Sequence, residues 1–213
     1  MARTHLVWDW NGTLLDDFSL VVQATNSAFA AVGGRGVEPD EHRSRFRRPV
    51  AEFYAEILER AVDDEEFGKL DRIFHEAYRL GLTTMPLAAD AKQALTSWPG
   101  SQSLLSMWFH AELVPALETY GLTGHFTRVD GLRTEVGGHL KAGHLAEHLR
   151  QLGVDGNDAV LIGDSLDDAH AAQAAGAGIV LYSGGFTDAV RLRAVGCPVA
   201  DTLVEAVSIA RRL

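Results

Sequence analysis

Two acidic motifs lie at the ends of short apolar runs, and their residue types suit phosphate chemistry. The first is Asp9-Trp10-Asn11-Gly12-Thr13, and the second is Gly163-Asp164-Ser165-Leu166-Asp167-Asp168. Ser106 ends another apolar run, and Lys141 is one of only three lysines in the chain. Carboxylate oxygens suit a hard cation such as Mg²⁺, while a lysine and a hydroxyl suit a phosphate. A carboxylate can also act as the nucleophile of phosphoryl transfer.

The elements around these motifs predict a parallel sheet that would bring them together. Strands are predicted at 5–10, 102–107, 127–132, 159–163 and 179–182. Helices are predicted at 88–98, 111–120, 139–152, 167–175 and 203–212. Apolar strands that alternate with helices indicate a parallel sheet covered on both faces, and ligands bind at the carboxyl ends of such strands. Trp8 and Trp10 flank Asp9, and the alternation of a strand predicts that both point away from it into the core.

Composition and charge exclude several classes of protein. The chain has 213 residues, 46% of them hydrophobic and 23% charged, which is typical of a globular protein with a real core. The formal net charge of −10 predicts no attraction for nucleic acid or an anionic membrane. The single cysteine, Cys197, cannot form an internal disulfide. No run approaches the ~20 apolar residues of a membrane span, so we expect a cytoplasmic protein.

The two acidic motifs, together with Ser106 and Lys141, resemble those of the haloacid dehalogenase superfamily of phosphatases and phosphotransferases. The order, the spacing and the strand positions agree over essentially the whole chain, and the phosphoglycolate phosphatase branch is the most similar. The resemblance implies an α/β fold with a Rossmann-like parallel sheet core formed by residues 1–15 and 84–213. It also implies that residues 16–83, which have a helical pattern, are a cap domain inserted after the first strand. A small phosphorylated metabolite would be the substrate. We expect the protein to be a monomer or a weak dimer.

The resemblance also implies a role for each residue of the motifs. Asp9 would be the nucleophile and a Mg²⁺ ligand, with the backbone carbonyl of Asn11 and the carboxylate of Asp164 as the other protein ligands. Ser106 would hydrogen-bond the phosphoryl oxygens, and Lys141 would neutralise them and steady Asp9. Asp168 would orient the groups that surround the metal. The adjacent Asp167 fits the spacing less well, and we expect it to face solvent.

Asn11 departs from the pattern of the family's phosphatases, which have an aspartate at this position. That aspartate protonates the leaving group and then activates water, and an amide cannot shuttle a proton in this way. Losing general acid–base help typically costs about 10²–10⁴ in rate. Three hypotheses stay open. The substrate has a leaving group that needs little protonation, or another group supplies the proton, with Asp16, Asp17 and His110 as candidates. In the third hypothesis the protein binds a phosphorylated ligand with little turnover.

Four arginines lie close together in the predicted cap. Arg47 and Arg48 are candidates to bind a carboxylate or a second phosphate of the substrate, with Arg43 and Arg45 beside them. The alternative is a solvated face on which the arginines pair with Glu52 and Glu56.

Other motifs favour structural explanations or minor branches of the family. His139, His144 and His148 are more consistent with a surface helix than with a metal site. Retention of Asp164 and Asp168 argues against dehalogenases, which need no Mg²⁺. A phosphonate-cleaving enzyme would need a cap lysine, and Lys69 stands in an unsuitable acidic helix.

Overall fold

Six parallel strands form one sheet in the order β3-β2-β1-β4-β5-β6. This computed structural model describes residues 3–134 and 137–213. The strands are β1 His5–Trp8, β2 Ser101–Phe109, β3 Val129–Leu132, β4 Ala159–Gly163, β5 Gly178–Tyr182 and β6 Val199–Ala200. The strand order reverses direction between β1 and β4, which places the switch point of the sheet where the two acidic motifs begin.

Ten α-helices surround the sheet within the described residues. They are α1 Phe18–Ala30, α2 Pro39–Arg45, α3 Val50–Ile57, α4 Asp64–Leu82, α5 Ala91–Ser97, α6 His110–Thr119, α7 Ala142–Leu152, α8 Leu166–Ala174, α9 Ala189–Ala194 and α10 Leu203–Ala210. Short 3₁₀ turns span Thr123–His125 and Gly156–Asp158. The Rossmann-like α/β architecture that the sequence predicted is therefore confirmed.

Helices α1 to α4 fill the chain between β1 and α5, and we call residues 16–83 the insertion. Helix α4 begins at Asp64, because the Asp63 side chain accepts a hydrogen bond from the Glu66 backbone and acidic residues occupy the first turn. Its apolar stripe packs against α1.

Hydrogen bonds connect the insertion to the far end of the chain. Arg191, in α9, donates to the backbone oxygens of Arg43 and Phe46 at 3.1 and 2.8 Å. Arg43 in turn donates to the Gly185 oxygen at 3.0 Å and lies over the ring of Phe18. We refer to these contacts as the Arg43–Arg191 contact.

The core of the molecule lies on both faces of the sheet. All four residues of β1 are buried, and Trp8 and Trp10 are fully enclosed, as the alternation predicted. Trp8 donates its ring N–H to the Gln102 side chain at 2.9 Å, so this buried donor is satisfied.

Two strand ends and two short elements show where the structure departs from the prediction and why. Strand β1 ends at Trp8, because the chain turns at Asp9–Gly12. Strand β2 continues past Ser106 to Phe109, with a register shift against β3 between Leu105 and Phe109. The sequence analysis missed α9 and β6, which have six and two residues and are too short to show a period.

The surface prediction for His148 is wrong, because this side chain is buried on α7. Its Nδ1 atom lies 2.7 Å from Asp130 Oδ2, and its Nε2 atom lies 2.7 Å from Ser103 Oγ. Ser103 also contacts His5, whose other ring nitrogen bonds Ser101. These contacts form a buried polar chain across β1, β2 and α7.

We expect this chain to make the fold sensitive to acid through His5. Burial, assisted by the nearby His148, lowers the pKa of His5 from 6.5 to about 4. The unfolded chain therefore binds the proton first, and stability falls as the pH drops from about 6.5 to about 4. After allowance for solvent screening, this loss is about 2 kcal/mol in the free energy of unfolding.

Denaturant unfolding of His5→Gln at pH 7 and pH 5 tests this expectation. The loss on acidification should be smaller in His5→Gln than in the native protein. His170→Gln is the control, because His170 is exposed. An unchanged loss in His5→Gln would assign the acid sensitivity to other groups.

No helix in the described ranges 3–134 and 137–213 combines the length and the hydropathy needed to cross a membrane.

Candidate active site

The first two carboxylates of the site come together because β1 and β4 are neighbours. Their register pairs Trp8 with Ile162, and the Asp9 N–H donates to the Ile162 oxygen at 2.9 Å. Asp9 and Asp164 therefore follow adjacent strand ends at the same edge of the sheet. Asp168 joins them from the first turn of α8, where it forms a capping box with Ser165.

The carboxylates of Asp9, Asp164 and Asp168 form one buried cluster. Each offers an oxygen within 4.8 Å of the other two, and this is the one such cluster of acidic, histidine or cysteine ligands found in the described part of the chain. Burial raises the pKa of Asp9 to about 6, against the opposing attraction of Lys141. Burial and repulsion from Asp9 and Asp168 raise the pKa of Asp164 well above its ordinary value.

Lys141 ties the cluster together. Its ammonium lies 2.7 Å from Asp9 Oδ1 and 2.5 Å from Asp168 Oδ1, and the side chain is almost fully buried. Burial alone would lower the pKa of Lys141, but the carboxylates of Asp168 and Asp9 together raise it above its usual range. Lys141 therefore stays protonated, and Asp168 is held ionised because this ion pair lowers its pKa in spite of burial.

Gly12 allows the two acidic motifs to approach closely. Its φ is +73°, and a Cβ atom there would lie 2.6 Å from Asp164 Oδ2. Thr13 donates to the other oxygen of Asp164 at 3.1 Å, and the Phe186 N–H donates to Oδ2 at 2.6 Å. Any residue other than glycine at position 12 would be strained and would displace the Asp164 carboxylate.

The side chain of Asn11 is fixed by a group of hydrogen bonds. Its amide nitrogen donates to Asp17 Oδ2 at 2.9 Å and to the Tyr78 hydroxyl at 2.8 Å. Its amide oxygen accepts from Ser106 Oγ at 3.2 Å, and Ser106 accepts from the Trp108 N–H. The ionised Asp17 carboxylate can only accept hydrogen bonds, so the amide nitrogen of Asn11, and not its amide oxygen, must face Asp17.

Asp17 is buried beneath Asn11. It also accepts from the Gly12 N–H at 2.7 Å and from the Tyr78 hydroxyl at 2.6 Å. Burial raises the pKa of Asp17 to about 6, although these hydrogen bonds oppose the shift. Of the three substitute proton donors that the sequence suggested, the structure brings Asp17 into contact with Asn11. Asp16 is exposed, and His110 lies in an outer groove with Arg133.

Two cavities meet at this edge of the sheet. We call the smaller one, of about 320 Å³, the phosphoryl cavity, since Asp9, Lys141 and Asp164 line it. We call the larger one, of about 640 Å³ including its open mouth, the insertion cavity. The residues that line both are Asn11, Phe46, Arg48, Met107 and Phe186.

The four arginines of the insertion have different surroundings. Arg48 lines both cavities, and its Nε atom lies 3.8 Å from Asp167 Oδ2. Arg47 forms an ion pair with Glu56 and is absent from the described lining of both cavities. The structure thus separates the two arginines that the sequence grouped. The expectation that Asp167 faces solvent is wrong: it is buried and accepts from the Lys141 N–H.

Sequence reasoning missed Tyr78, which lies in α4 and bonds both Asn11 and Asp17. Its aromatic ring fits an ordinary helix core, so the sequence gives no signal for the hydroxyl. Phe186 was missed for a different reason, because its contribution to Asp164 is a backbone N–H.

Comparison with known proteins gives a family match and named relatives. The model for hydrolases of the haloacid dehalogenase-like type matches residues 4–176. A phosphoglycolate phosphatase of Mesorhizobium japonicum is 28% identical over 200 residues, covering 88% of this chain and 86% of that protein. A phosphoglycolate phosphatase of Chromobacterium violaceum is 26% identical, covering 89% of both chains.

Solved structures show the same fold at low identity. The crystal structure of a predicted phosphatase from Clostridium acetobutylicum superposes with a TM-score of 0.88 at 15% identity, covering all of both chains. A haloacid dehalogenase-like hydrolase from Streptococcus pneumoniae gives a TM-score of 0.81 at 17% identity, covering 97% of this chain and 98% of that one.

Proposed function

Because this chain belongs to the haloacid dehalogenase-like hydrolase family, we propose that it is a Mg²⁺-dependent phosphatase of small phosphorylated metabolites that acts through an aspartyl-phosphate on Asp9. The observation that carries the proposal is the buried contact of Lys141 with Asp9 and Asp168 beside Asp164. It combines a nucleophile, a fixed positive charge and a set of oxygen ligands in one cavity. The names of the two curated relatives support phosphatase activity.

The charges of the cluster fit a divalent cation. Three carboxylates and one ammonium leave a formal charge of −2 when all are ionised. Burial, followed by repulsion among the carboxylates, raises the pKa values of Asp9 and Asp164. The donors are oxygens alone, the set that Mg²⁺ prefers. In our proposal Asp9, the Asn11 backbone carbonyl and Asp164 hold Mg²⁺, and Asp168 supports them. Bound Mg²⁺ would supply positive charge that offsets the phosphoryl oxygens.

In the first step an oxygen of the Asp9 carboxylate attacks phosphorus. The bond between phosphorus and the substrate oxygen breaks, and the alcohol oxygen leaves with the electron pair. Lys141 holds the carboxylate in place and keeps its proton throughout, so it stabilises negative charge on the phosphoryl oxygens. In the second step water attacks phosphorus, and the bond to Asp9 breaks to release phosphate and restore the carboxylate. One proton of the water stays on the phosphate, and the other passes through solvent to the alkoxide released in the first step.

This mechanism lacks an acid at position 11 that could give a proton to the leaving group. Asn11 cannot give up a proton, and both N–H groups of its amide already donate to Asp17 and Tyr78. Its amide is held by Asp17, Tyr78 and Ser106, and it faces both cavities. We assign Arg48 to the binding of substrate oxygens. Ser106 donates its hydroxyl proton to the Asn11 amide oxygen and is absent from the described lining of both cavities, so we assign it to the positioning of Asn11, and we assign neither role to Arg47.

A second candidate function is that of a phospholigand-binding protein with little turnover. The observation that favours it is the same Asn11 amide, which cannot transfer a proton where the family's phosphatases have an acid. The two functions differ in whether phosphate is released, because both require the phosphoryl cavity.

Phosphate release from acetyl phosphate and 4-nitrophenyl phosphate, with Mg²⁺ or with a chelator, tests the proposal. We expect the chelator to lower the rate by at least about 10²-fold, because the metal contributes several kcal/mol of charge stabilisation. Mg²⁺ should also raise the melting temperature, since binding to the folded state alone adds about 2.7 kcal/mol at 100 times Kd.

The Asp164→Asn variant should lose most of the Mg²⁺-dependent rise in melting temperature. Asp201→Asn is the matched control, because Asp201 is an exposed carboxylate. Release that continues in the chelator would contradict Mg²⁺ dependence. Mg²⁺-dependent binding of phosphate without any release would favour the second function.

A further inference from the structure

The insertion cavity is placed to receive the part of the substrate that departs from phosphorus. It shares Asn11, Arg48 and Met107 with the phosphoryl cavity, so the two cavities adjoin at these residues. A phosphate monoester seated with its phosphorus near Asp9 has its alcohol half on the far side of the bond that breaks. The insertion cavity therefore faces the alcohol, and the chemistry of its lining residues indicates which kind of alcohol it would bind.

The lining is dominated by aromatic rings. Phe53, Tyr54, Phe74, Tyr78 and Trp108 contribute faces and edges, and the Tyr78 and Trp108 ring centroids lie 4.7 Å apart. Such a surface stabilises a flat apolar group and disfavours a hydrated carboxylate.

Two buried polar side chains of this cavity lack partners. Trp108 Nε1 and both ring nitrogens of His42 are buried, without a hydrogen bond to any described residue. Burial, with the nearby Arg43 charge, lowers the pKa of His42 to about 4, so its ring is neutral. More than about 90% of buried polar groups in proteins are hydrogen-bonded. An indole N–H donates only, so the missing partner of Trp108 is an acceptor.

The charges of the cavity disfavour an anionic alcohol. Asp71 carries a carboxylate into the lining, where its Oδ2 atom lies 3.1 Å from His75 Nδ1. Arg48 is the permanent cation among the described lining residues, and it stands at the junction with the phosphoryl cavity. Its guanidinium is already engaged by Asp167 and by the His139 backbone oxygen, at 3.8 and 3.3 Å. Beyond Arg48, an anionic group in the cavity would therefore meet the Asp71 carboxylate and the faces of aromatic rings.

We propose that the substrate is a phosphate monoester whose alcohol carries a flat, uncharged aromatic or heteroaromatic ring with a hydrogen-bond acceptor that meets Trp108 Nε1. The proposal rests on the proposed phosphatase function and names its substrate class. It differs from the two-carbon carboxylate of phosphoglycolate, after which the two curated relatives are named.

Binding of phosphonates tests this class without requiring turnover. In 2-phenylethylphosphonate a ring occupies the place of the alcohol group, and 3-phosphonopropionate has the length and charge of phosphoglycolate. We expect the phenyl compound to bind the native protein with Mg²⁺ at least about tenfold more tightly, since burial of a ring contributes well over 1.4 kcal/mol. Equal or tighter binding of 3-phosphonopropionate would overturn the proposal. Tightest binding of 3-(trimethylammonio)propylphosphonate would overturn it in favour of a cationic alcohol.

The acceptor is tested with the three pyridyl isomers of 2-phenylethylphosphonate and two tryptophan variants. At least one isomer should bind the native protein better than the phenyl compound, and Trp108→Phe should remove this advantage. Trp98→Phe should keep it, because Trp98 is a buried tryptophan outside both cavities whose N–H bonds the Ser101 oxygen. If the tighter binding of a pyridyl isomer persists in Trp108→Phe, the role of Trp108 is overturned. The same follows if no pyridyl isomer binds the native protein better than the phenyl compound.

Hydrolysis of acetyl phosphate separates this proposal from the proposed function. Its acetyl group is too small to reach the aromatic lining, so its turnover reports on the phosphoryl cavity alone. Release from acetyl phosphate with preference for 3-phosphonopropionate would refute the substrate class and leave the phosphatase intact. Preference for the aryl phosphonates with no release from any ester, benzyl phosphate included, would refute the phosphatase and leave the ring pocket intact.

Discussion

Replacing Asp9 with asparagine is expected to lower phosphate release by about 10⁴-fold or more, to the level of the background reaction. The amide keeps the size of the side chain but removes the nucleophilic oxygen that attacks phosphorus. It also removes the negative partner of Lys141, whose ammonium lies 2.7 Å from Asp9 Oδ1. The rate with benzyl phosphate, measured in excess Mg²⁺, provides the test.

The fold should survive this change, since Lys141 keeps its second partner Asp168 and the excess of buried negative charge falls. Melting temperature and circular dichroism of Asp9→Asn check this. Asp16→Asn is the matched control, because Asp16 is an exposed carboxylate seven positions along the chain. A folded Asp9→Asn protein that retains a hundredth of the native rate would contradict the role of Asp9 as nucleophile.

Asn11→Asp is expected to raise turnover of esters with poor leaving groups by about 10²-fold and to leave activated esters nearly unchanged. A carboxyl group at position 11 can protonate the departing oxygen, which matters for an alkoxide and little for 4-nitrophenolate. In the native protein the Asn11 amide lies 2.9 Å from Asp17 Oδ2. A second carboxylate there would share a proton with Asp17, so the new acid would stay protonated to a higher pH.

The comparison of kcat for benzyl phosphate and 4-nitrophenyl phosphate measures this selectivity. The double variant Asn11→Asp/Asp17→Asn is the matched control, because it exchanges the two groups and keeps one amide and one carboxyl in contact. It should show the same selectivity with a smaller loss of stability than Asn11→Asp. An equal gain for both esters would show that proton transfer does not limit the native reaction.

The sequence predicted the parts of the site that depend on strand ends. Asp9, Asp164 and Lys141 belong to segments whose apolar runs and caps determine their place, so their convergence followed from the parallel sheet alone. The residues around Asn11 could not be predicted in the same way. Tyr78 is 67 positions away in the chain from Asn11, and its hydroxyl reaches Asn11 through the tertiary packing of α4, which the sequence pattern does not specify.

The arginines illustrate why residue type and spacing do not decide which side chain enters a cavity. Arg47 and Arg48 are adjacent in sequence, yet one pairs with Glu56 and the other faces both cavities. The direction of each depends on the turn between α2 and α3, for which the sequence shows no periodic pattern. His148 is similar, since its burial depends on Ser103 in a strand that the chain reached 45 residues earlier.

The Arg43–Arg191 contact bears on how this protein can be divided into fragments. The family match ends at residue 176, before Phe186 and Arg191. A fragment trimmed to that boundary would contain both acidic motifs, Ser106 and Lys141, and would still lose β5, the backbone donor to Asp164 and the Arg43–Arg191 contact. The residues of the proposed chemistry lie in the matched segment, whereas some of the contacts that place the insertion lie in the last 37 residues of the 213. We therefore expect the smallest active fragment of this protein to be longer than its recognisable motifs.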